Sequence, residues 1–267
     1  MDISVEERRE GRLSADRLAA AQLRLRQAGY VVLENVLSLD WLVGIREAFD
    51  KELARVEPDG AASTDRRGGC HAPLCMPFFD PLIVENPIGL QIMESVMGED
   101  LWAMLPYHTN TSWPGAGMQH GHSDTKHLFP EVPVVLPPSL MVLNIPVVDF
   151  TEENGSTEVW PGSHLIVDAS IGSSPLETLE RRAAEMPSVR LNVPTGAIVL
   201  RDMRVWHRGT PNRTDIVRTM ISLVYFRQLH GLPDHLTHLP VIPWACKNLL
   251  SERAKRIFRY NPVEGNT

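Results

Sequence analysis

Two histidines and an aspartate, His122, Asp124 and His207, are spaced as a shared metal site requires, and Arg218 follows 11 residues after the last of them. In His122-Ser123-Asp124 the donors stand at i and i+2, so on extended backbone they point the same way and reach one ion together. The second imidazole must come from another segment. His207, 85 residues after His122, lies just past the apolar run Ala197-Ile198-Val199-Leu200. Two imidazoles and one carboxylate on one face of an octahedron are what a non-heme Fe(II) site uses, leaving the opposite positions for a co-substrate and dioxygen. Arg218 opens a strand-like run to Phe226, where a guanidinium can clamp a carboxylate with two parallel hydrogen bonds. Each piece alone has an ordinary meaning: a common tripeptide, a satisfied histidine, a surface cation. Their joint spacing is what carries chemistry.

With these residues the chain resembles the phytanoyl-CoA dioxygenase (PhyH) family of Fe(II)/2-oxoglutarate-dependent oxygenases. The stretches that carry the resemblance are Gly29 to Asn35, His122-Ser123-Asp124, Glu153 to His164, Gly196 to Leu200, Trp206-His207-Arg208-Gly209, Asn212 and Arg218, spread over about residues 15–228. The resemblance implies a mainly β fold with flanking α-helices and a double-stranded β-helix (jelly-roll, cupin-like) core. It implies His122, Asp124 and His207 on iron, and Arg218 on the distal carboxylate of 2-oxoglutarate. Turnover would consume O2 and release succinate and CO2, with hydroxylation of a substrate C–H bond as the default outcome and desaturation or cyclisation as variants. Related halogenases carry Gly or Ala where Asp124 stands, so halogenation is not expected.

Met220 and Ser222 share the face of Arg218 on an extended strand, and Ser222 can donate to the same carboxylate. Asn144 aligns with a family position near the C1 carboxylate of the co-substrate; a strand residue satisfying backbone is the alternative. Gly209 stands where some relatives carry a hydroxyl residue that helps hold the distal carboxylate, a departure that bears on the completeness of the clamp. Met76, Phe78, Phe79, Met118, His120, Trp206 and Arg208 flank the motifs or lie in loops. They are expected at the mouth, where they suit a small apolar-to-amphipathic substrate such as a specialised metabolite. His120 falls on the same side as His122 and Asp124 and is expected to contact substrate or support the ligands, not to bind iron. His108 and His127 are expected in the pocket or on the surface. A CoA thioester would want a basic patch, and the nearby pair Arg66-Arg67 reads as a solvated loop.

These residues need a scaffold. Leu18, Ala21, Leu25 and Ala28 form one face of a helix over 15–28, which Gly29 can stop. Tyr30 to Leu33 reads as a strand. Ser38 is placed to cap a helix over 39–55, with Leu42, Ile45, Phe49 and Leu53 on its buried face. A third helix is expected over about 87–97. From Leu101 to about Phe226 short strands alternate with turns such as Asn154-Gly155 and Pro161-Gly162, the pattern of an antiparallel sandwich or barrel. A strand over 139–145 and a helical excursion near 174–185 fall inside this region. Residues 57–69 read as a polar, glycine-containing loop, and 57–75 as a lid near the mouth. Over residues 229–267 loops and a helix near 245–257 are expected. One domain over 1–267 is expected: helices about 15–55, core about 101–228, extension 229–267.

A net charge of −7 with no basic block argues against a nucleic-acid partner. No 20-residue apolar run suggests a membrane span, and the charged amino terminus does not read as a secretion signal. Three cysteines, Cys70, Cys75 and Cys246, make no disulfide framework. A cytoplasmic monomer or homodimer acting on a small molecule is expected. Cys70-His71 and Cys75 do not have the spacing of a zinc finger. Two other readings compete: a cupin-like metal hydrolase or isomerase using Zn2+ on the same ligands, and a non-catalytic binding protein of the same fold. Arg218 favours the oxygenase, because a hydrolase has no need of a deep carboxylate clamp.

Overall fold

A computed structural model describes residues 1–56, 65–167, 176–231 and 238–265. Helices α1 (Val5–Glu10) and α2 (Ala15–Ala28) lead into strand β1 (Tyr30–Leu33) and helix α3 (Leu39–Leu53). Strand β2 (Arg67–Gly68), helices α4 (Pro81–Val84) and α5 (Pro87–Met97), and strands β3 (Trp102–Ala103), β4 (His108–Ser112) and β5 (Leu140–Pro146) follow. Then come β6 (Glu158–Val159), α6 (Leu176–Ala184), β7 (Val189–Arg190), β8 (Ile198–Asp202), β9 (His207–Arg208) and β10 (Arg218–Phe226). Helices α7 (Trp244–Lys247) and α8 (Glu252–Ile257) end the order.

All strand pairs are antiparallel. The larger sheet runs β1-β8-β5-β10-β4-β2 with β3 also on β10, and the smaller runs β7-β6-β9. Side chains alternate across a strand with a period of two, and the large sheet uses both faces. Val31, Leu33, Met141, Leu143, Ile145, Ile198, Leu200, Ile221, Leu223 and Tyr225 join the buried faces of α2, α3 and α5 in the main core. On the opposite face Val199 and Met220 pack with Phe150 and Val193 in a second, smaller cluster.

The helices begin and end where local chemistry dictates. Ser14, Ser38 and Asn86 each accept a backbone amide of the first turn of the helix that follows, satisfying donors with no partner inside the helix. Gly29 takes φ 82° at the end of α2. There a Cβ would lie 2.3 Å from Val205 Cγ2 and 2.6 Å from His164 Nδ1.

The expected helices over 15–28 and 87–97 and the strand over 30–33 have the boundaries read from the sequence, and α3 stops two residues short of 55. Three expectations change. The single C-terminal helix is two short ones, because Ser251 caps a new helix by accepting the amide of Ala254. The charged amino terminus forms α1, closed by a capping box between Ser4 and Glu7 and burying no residue. Of the expected loop and lid, residues 57–64 lie outside the described residues. The remainder is not a free lid: Arg67 and Gly68 pair with Ser112 and Thr111, and Cys70 and Ala72 are hydrogen-bonded to Thr109 and Tyr107. The three cysteines are free thiols. Among the described residues no helix is long and apolar enough to cross a membrane.

Gly29→Ala should destabilise the protein by about 2–4 kcal/mol, the sum of a left-handed backbone penalty and overpacking against Val205 and His164. Urea unfolding should show a lower midpoint at unchanged slope; an unchanged midpoint would contradict this account of the α2–β1 joint.

Candidate active site

His122, Asp124 and His207 meet because one backbone pair joins two distant segments. His122 and His207 exchange both backbone hydrogen bonds, at 3.0 and 2.8 Å, so the segment after β4 lies beside β9. β9 in turn pairs with β6 through Val159. Asp124 is fixed by its amide, which donates to the carbonyl of Met203 in the turn between β8 and β9. His122, Asp124 and His207 offer donor atoms that all lie within 4.8 Å of one another, the one such cluster of three among the described residues. Cys70, His71 and Cys75 form none.

Hydrogen bonding fixes which atoms face the centre. Each Nδ1 lies 3.0 Å from a carbonyl, His120 O for His122 and Val205 O for His207. A carbonyl only accepts, so each Nδ1 carries a proton and Nε2 is the nitrogen each ring offers to a metal. Asp124 Oδ1 lies 3.9 Å from His122 Nε2 and 3.6 Å from His207 Nε2. Its other oxygen, Oδ2, accepts from Arg201 Nη2 at 2.7 Å. Burial pushes the Asp124 pKa up, but the Arg201 guanidinium 2.7 Å away outweighs it and holds the carboxyl below the usual carboxylate range. Burial, helped by Arg201 and opposed by Asp124, keeps His207 neutral. A deprotonated carboxylate beside a neutral imidazole is the state a metal ion needs.

The same cavity continues between the sheets to Arg218. Arg218 is buried, its Cζ is 4.6 Å from the Phe150 ring centre, and its Nε has no hydrogen-bond partner. Burial and the neighbouring guanidiniums of Arg67 and Arg190 push its pKa down to about 9. No acidic group among the described residues pairs with it. A buried cation without a counter-ion is costly unless a ligand supplies the charge.

Arg67 is not marked as a site residue by the sequence, which places it in a solvated loop; it lies on β2 opposite Ser112, which is itself opposite Arg218, so the three side chains share one face. Arg67 Nη2 donates to the carbonyls of Gly117 and Thr210 at 2.7 and 2.5 Å. Arg67 Nε and Ser112 Oγ are buried without partners. A Cβ on Gly209 would lie 2.4 Å from Arg67 Nη1. The glycine that departs from the family pattern therefore makes room for a guanidinium. Gln119, also missed, lines the cavity and accepts the amide of Gly209 at 2.8 Å. No local signal marks either residue; only the pairing of β2 with β4, and of Gln119 with Gly209, brings them in.

The other expected site residues divide. Asn144 lines the cavity and donates to Ser222 Oγ at 2.7 Å. Ser222 accepts a second bond from Asn110 and is not at the cavity surface, so it braces two asparagines instead of standing beside Arg218. His108 and Asn110 line the cavity. His120 does not: its Nδ1 lies 3.0 Å from Glu180 Oε1, and its side chain is 71% exposed. Trp206 packs with Trp160 and Leu179 in a separate buried cluster. Phe79 and Phe78 belong to the main core, where Phe78 stacks edge-on against Phe49. Met118 and Met76 are exposed outside the cavity lining, and Arg208 is bonded to Glu158. His127 is half-buried beside Arg204, away from the cavity. Bulky apolar type and nearness in sequence are poor guides here: Phe78, Phe79 and Trp206 lie off the strands and are drawn into apolar clusters, while Met76, Met118 and His120 sit in exposed segments.

The phytanoyl-CoA dioxygenase (PhyH) family model matches residues 25–220. The chain belongs to this family of dioxygenases. It is 28% identical over 263 residues to the dioxygenase af480 of Aspergillus fumigatus, covering 91% of this chain and 77% of that protein. It is 28% identical over 164 residues to the multifunctional dioxygenase ausE of Penicillium brasilianum, covering 57% of this chain and only 53% of ausE. Among solved structures it resembles the epimerase SnoN in complex with Fe3+, alpha ketoglutarate and nogalamycin RO, at TM-score 0.65 and 21% identity over 85% of this chain and 91% of SnoN. It also resembles EctD from S. alaskensis with bound Fe, at TM-score 0.61 and 21% identity over 83% of this chain and 79% of EctD. The shared fold is the double-stranded β-helix.

The metal-free protein should lose stability as pH falls below the ordinary imidazole value of about 6.5. His207 is neutral in the fold, as burial also favours for His108, His127, His164 and His230, so the unfolded chain takes up more protons. Asp124 adds a second loss at lower pH, as its folded carboxylate is protonated. Denaturant unfolding at pH 7, 6 and 5 should show this decline, and His207→Gln should flatten it; equal slopes in the two proteins would contradict the neutral assignment.

Proposed function

We propose that the protein is an Fe(II)- and 2-oxoglutarate-dependent dioxygenase that oxidises, most simply hydroxylates, a C–H bond of a small specialised metabolite. The observation that carries this reading is a single cavity with a two-histidine, one-carboxylate cluster at one end and an unpaired, buried Arg218 at the other. A metal hydrolase or isomerase leaves that arginine without a purpose, and a binding protein leaves the ligand tautomers without one.

His122, Asp124 and His207 would hold the iron, two imidazole Nε2 atoms and one anionic oxygen suiting a divalent ion. The chemistry the ion would supply there, with 2-oxoglutarate and dioxygen, is decarboxylation to succinate and CO2 coupled to oxidation of the substrate. Arg218 pairs with the distal carboxylate of 2-oxoglutarate, and Arg67 adds positive charge from the neighbouring strand in place of the hydroxyl that Gly209 lacks. Asn144, braced through Ser222, orients its amide toward the proximal carboxylate. Phe150, Leu191, Val193 and Val199 line the cavity and exclude water, which strengthens every charged contact inside. His108 and Asn110 present polar groups to the substrate. SnoN and SnoK are described as an epimerase and a carbocyclase, so the outcome on this scaffold follows from which substrate bond faces the metal.

Purified protein should bind one equivalent of ferrous iron and release succinate from 2-oxoglutarate in an iron- and ascorbate-dependent manner. His122→Ala, Asp124→Ala and His207→Ala should each abolish this turnover; full activity in His207→Ala would sink the ligand assignment.

Arg218→Ala should raise the apparent KM for 2-oxoglutarate by about two orders of magnitude, since losing a buried charge pair amounts to several kcal/mol and each 1.4 kcal/mol is tenfold. Iron binding should change little. Lysine should rescue only partly, lacking the planar fork. An unaltered 2-oxoglutarate dependence in folded Arg218→Ala would move the clamp elsewhere.

A further inference from the structure

We propose that Arg201 is a positioning residue that keeps Asp124 a one-oxygen metal ligand, an inference that rests on the iron reading above. Arg201 lies on β8 between β1 and β5, opposite Tyr30 and Val142, so its backbone is held from both sides. Its side chain is 8% exposed and crosses from the sheet to the ligand cluster. Nη2 donates to Asp124 Oδ2 at 2.7 Å, and Nη1 lies 3.3 Å from His207 Nδ1. Among the described residues it is the one arginine or lysine paired with Asp124.

The two oxygens of Asp124 are thereby divided. Oδ1 faces both Nε2 atoms, and Oδ2 is turned into the guanidinium. A charge-assisted hydrogen bond engages the lone pairs of Oδ2 and sets a fixed positive charge beside it. Both effects oppose the approach of that oxygen to a dication. A carboxylate free of such a partner can chelate with both oxygens and take a further position on the ion. A keto acid bound through two donors, together with dioxygen, needs all three positions opposite the triad. Arg201 thus preserves coordination space, acting through Asp124 and touching neither metal nor co-substrate. The Nδ1–H of His207 is engaged by the Val205 carbonyl, so Asp124 is the ligand candidate that Arg201 orients.

Arg201→Met retains much of the length of the side chain and removes its donors. With Co(II) in place of iron and no 2-oxoglutarate, the variant should still bind one equivalent of metal but show an altered visible ligand-field spectrum, because that absorption reports coordination number and symmetry. With Fe(II) under anaerobic conditions, the visible charge-transfer absorption that 2-oxoglutarate produces on chelating ferrous iron should require roughly 10- to 100-fold more 2-oxoglutarate than in wild type, the range typical of lost outer-sphere partners. Arg201→Lys should recover part of both signals. An unchanged Co(II) spectrum with an unchanged 2-oxoglutarate titration in Arg201→Met overturns the proposal. Loss of metal binding in the folded variant overturns it too, because the arginine would then assemble the site instead of dividing its carboxylate. Should Arg201→Met fail to fold, Arg201→Gln, too short to reach Oδ2, takes the same two measurements. Wild-type protein that binds Co(II) but gives no charge-transfer band with Fe(II) and 2-oxoglutarate would defeat the 2-oxoglutarate reading and leave the Co(II) comparison of Arg201 standing.

Discussion

Strands β5, β8 and β10 are buried on both sides, and successive residues point to opposite faces. Ile221, Leu223 and Tyr225 fill the helix-side core, while Arg218 and Met220 between and beside them line the cavity. A slip of one residue in the pairing of β10 would drive a guanidinium into the main core and expose its apolar partners to the cavity. The large apolar face therefore enforces the register, and the register sets the positions of the charged groups. Everything at the cavity inherits its accuracy from that constraint, including the row Arg67–Ser112–Arg218 across three strands.

The smaller sheet contributes little core but closes the geometry. Its strands β6, β7 and β9 have two residues each. The exchange of hydrogen bonds between His122 and His207 extends it by one more segment. Histidines that are distant in sequence thus become neighbours through backbone bonding, and their side chains need only choose a tautomer. The carbonyls of His120 and Val205 make that choice.

Charge in the cavity is unbalanced by design of its parts. Asp124 is answered by Arg201, whereas Arg218 has no acidic partner and Arg67 donates from Nη2 to carbonyls while its Nε has no partner. In a medium of low dielectric such an excess of positive charge favours a dianionic guest. The proposed co-substrate meets that demand. The substitution of glycine at 209, which alone suggests a weakened clamp, is a spatial exchange: the volume a side chain would fill is taken by Arg67.

Much of this was legible in the residues themselves. Helical period, capping serines and Gly29 define α2 and α3, because those signals are local and act within a few residues. The candidate metal cluster and the buried Arg218 were legible too, since few residue types bind a divalent ion and their spacing is distinctive. What the chain alone could not convey were the mouth and the surroundings of the ligands. Phe79, Trp206, Met118 and His120 have suitable chemistry and nearby positions, yet two are buried in cores and two face away from the cavity. Arg67, Gln119 and Arg201 carry no local mark; sheet pairing brings in Arg67 and Arg201, and bonding to Gly209 brings in Gln119, across 151, 17 and 99 residues from Arg218 respectively. Sequence determined the chemistry available and the elements that bear it, because type and period are properties of short segments. Tertiary structure decided which face each side chain occupies and which charges meet, because strand register is settled only by burial of the whole apolar face.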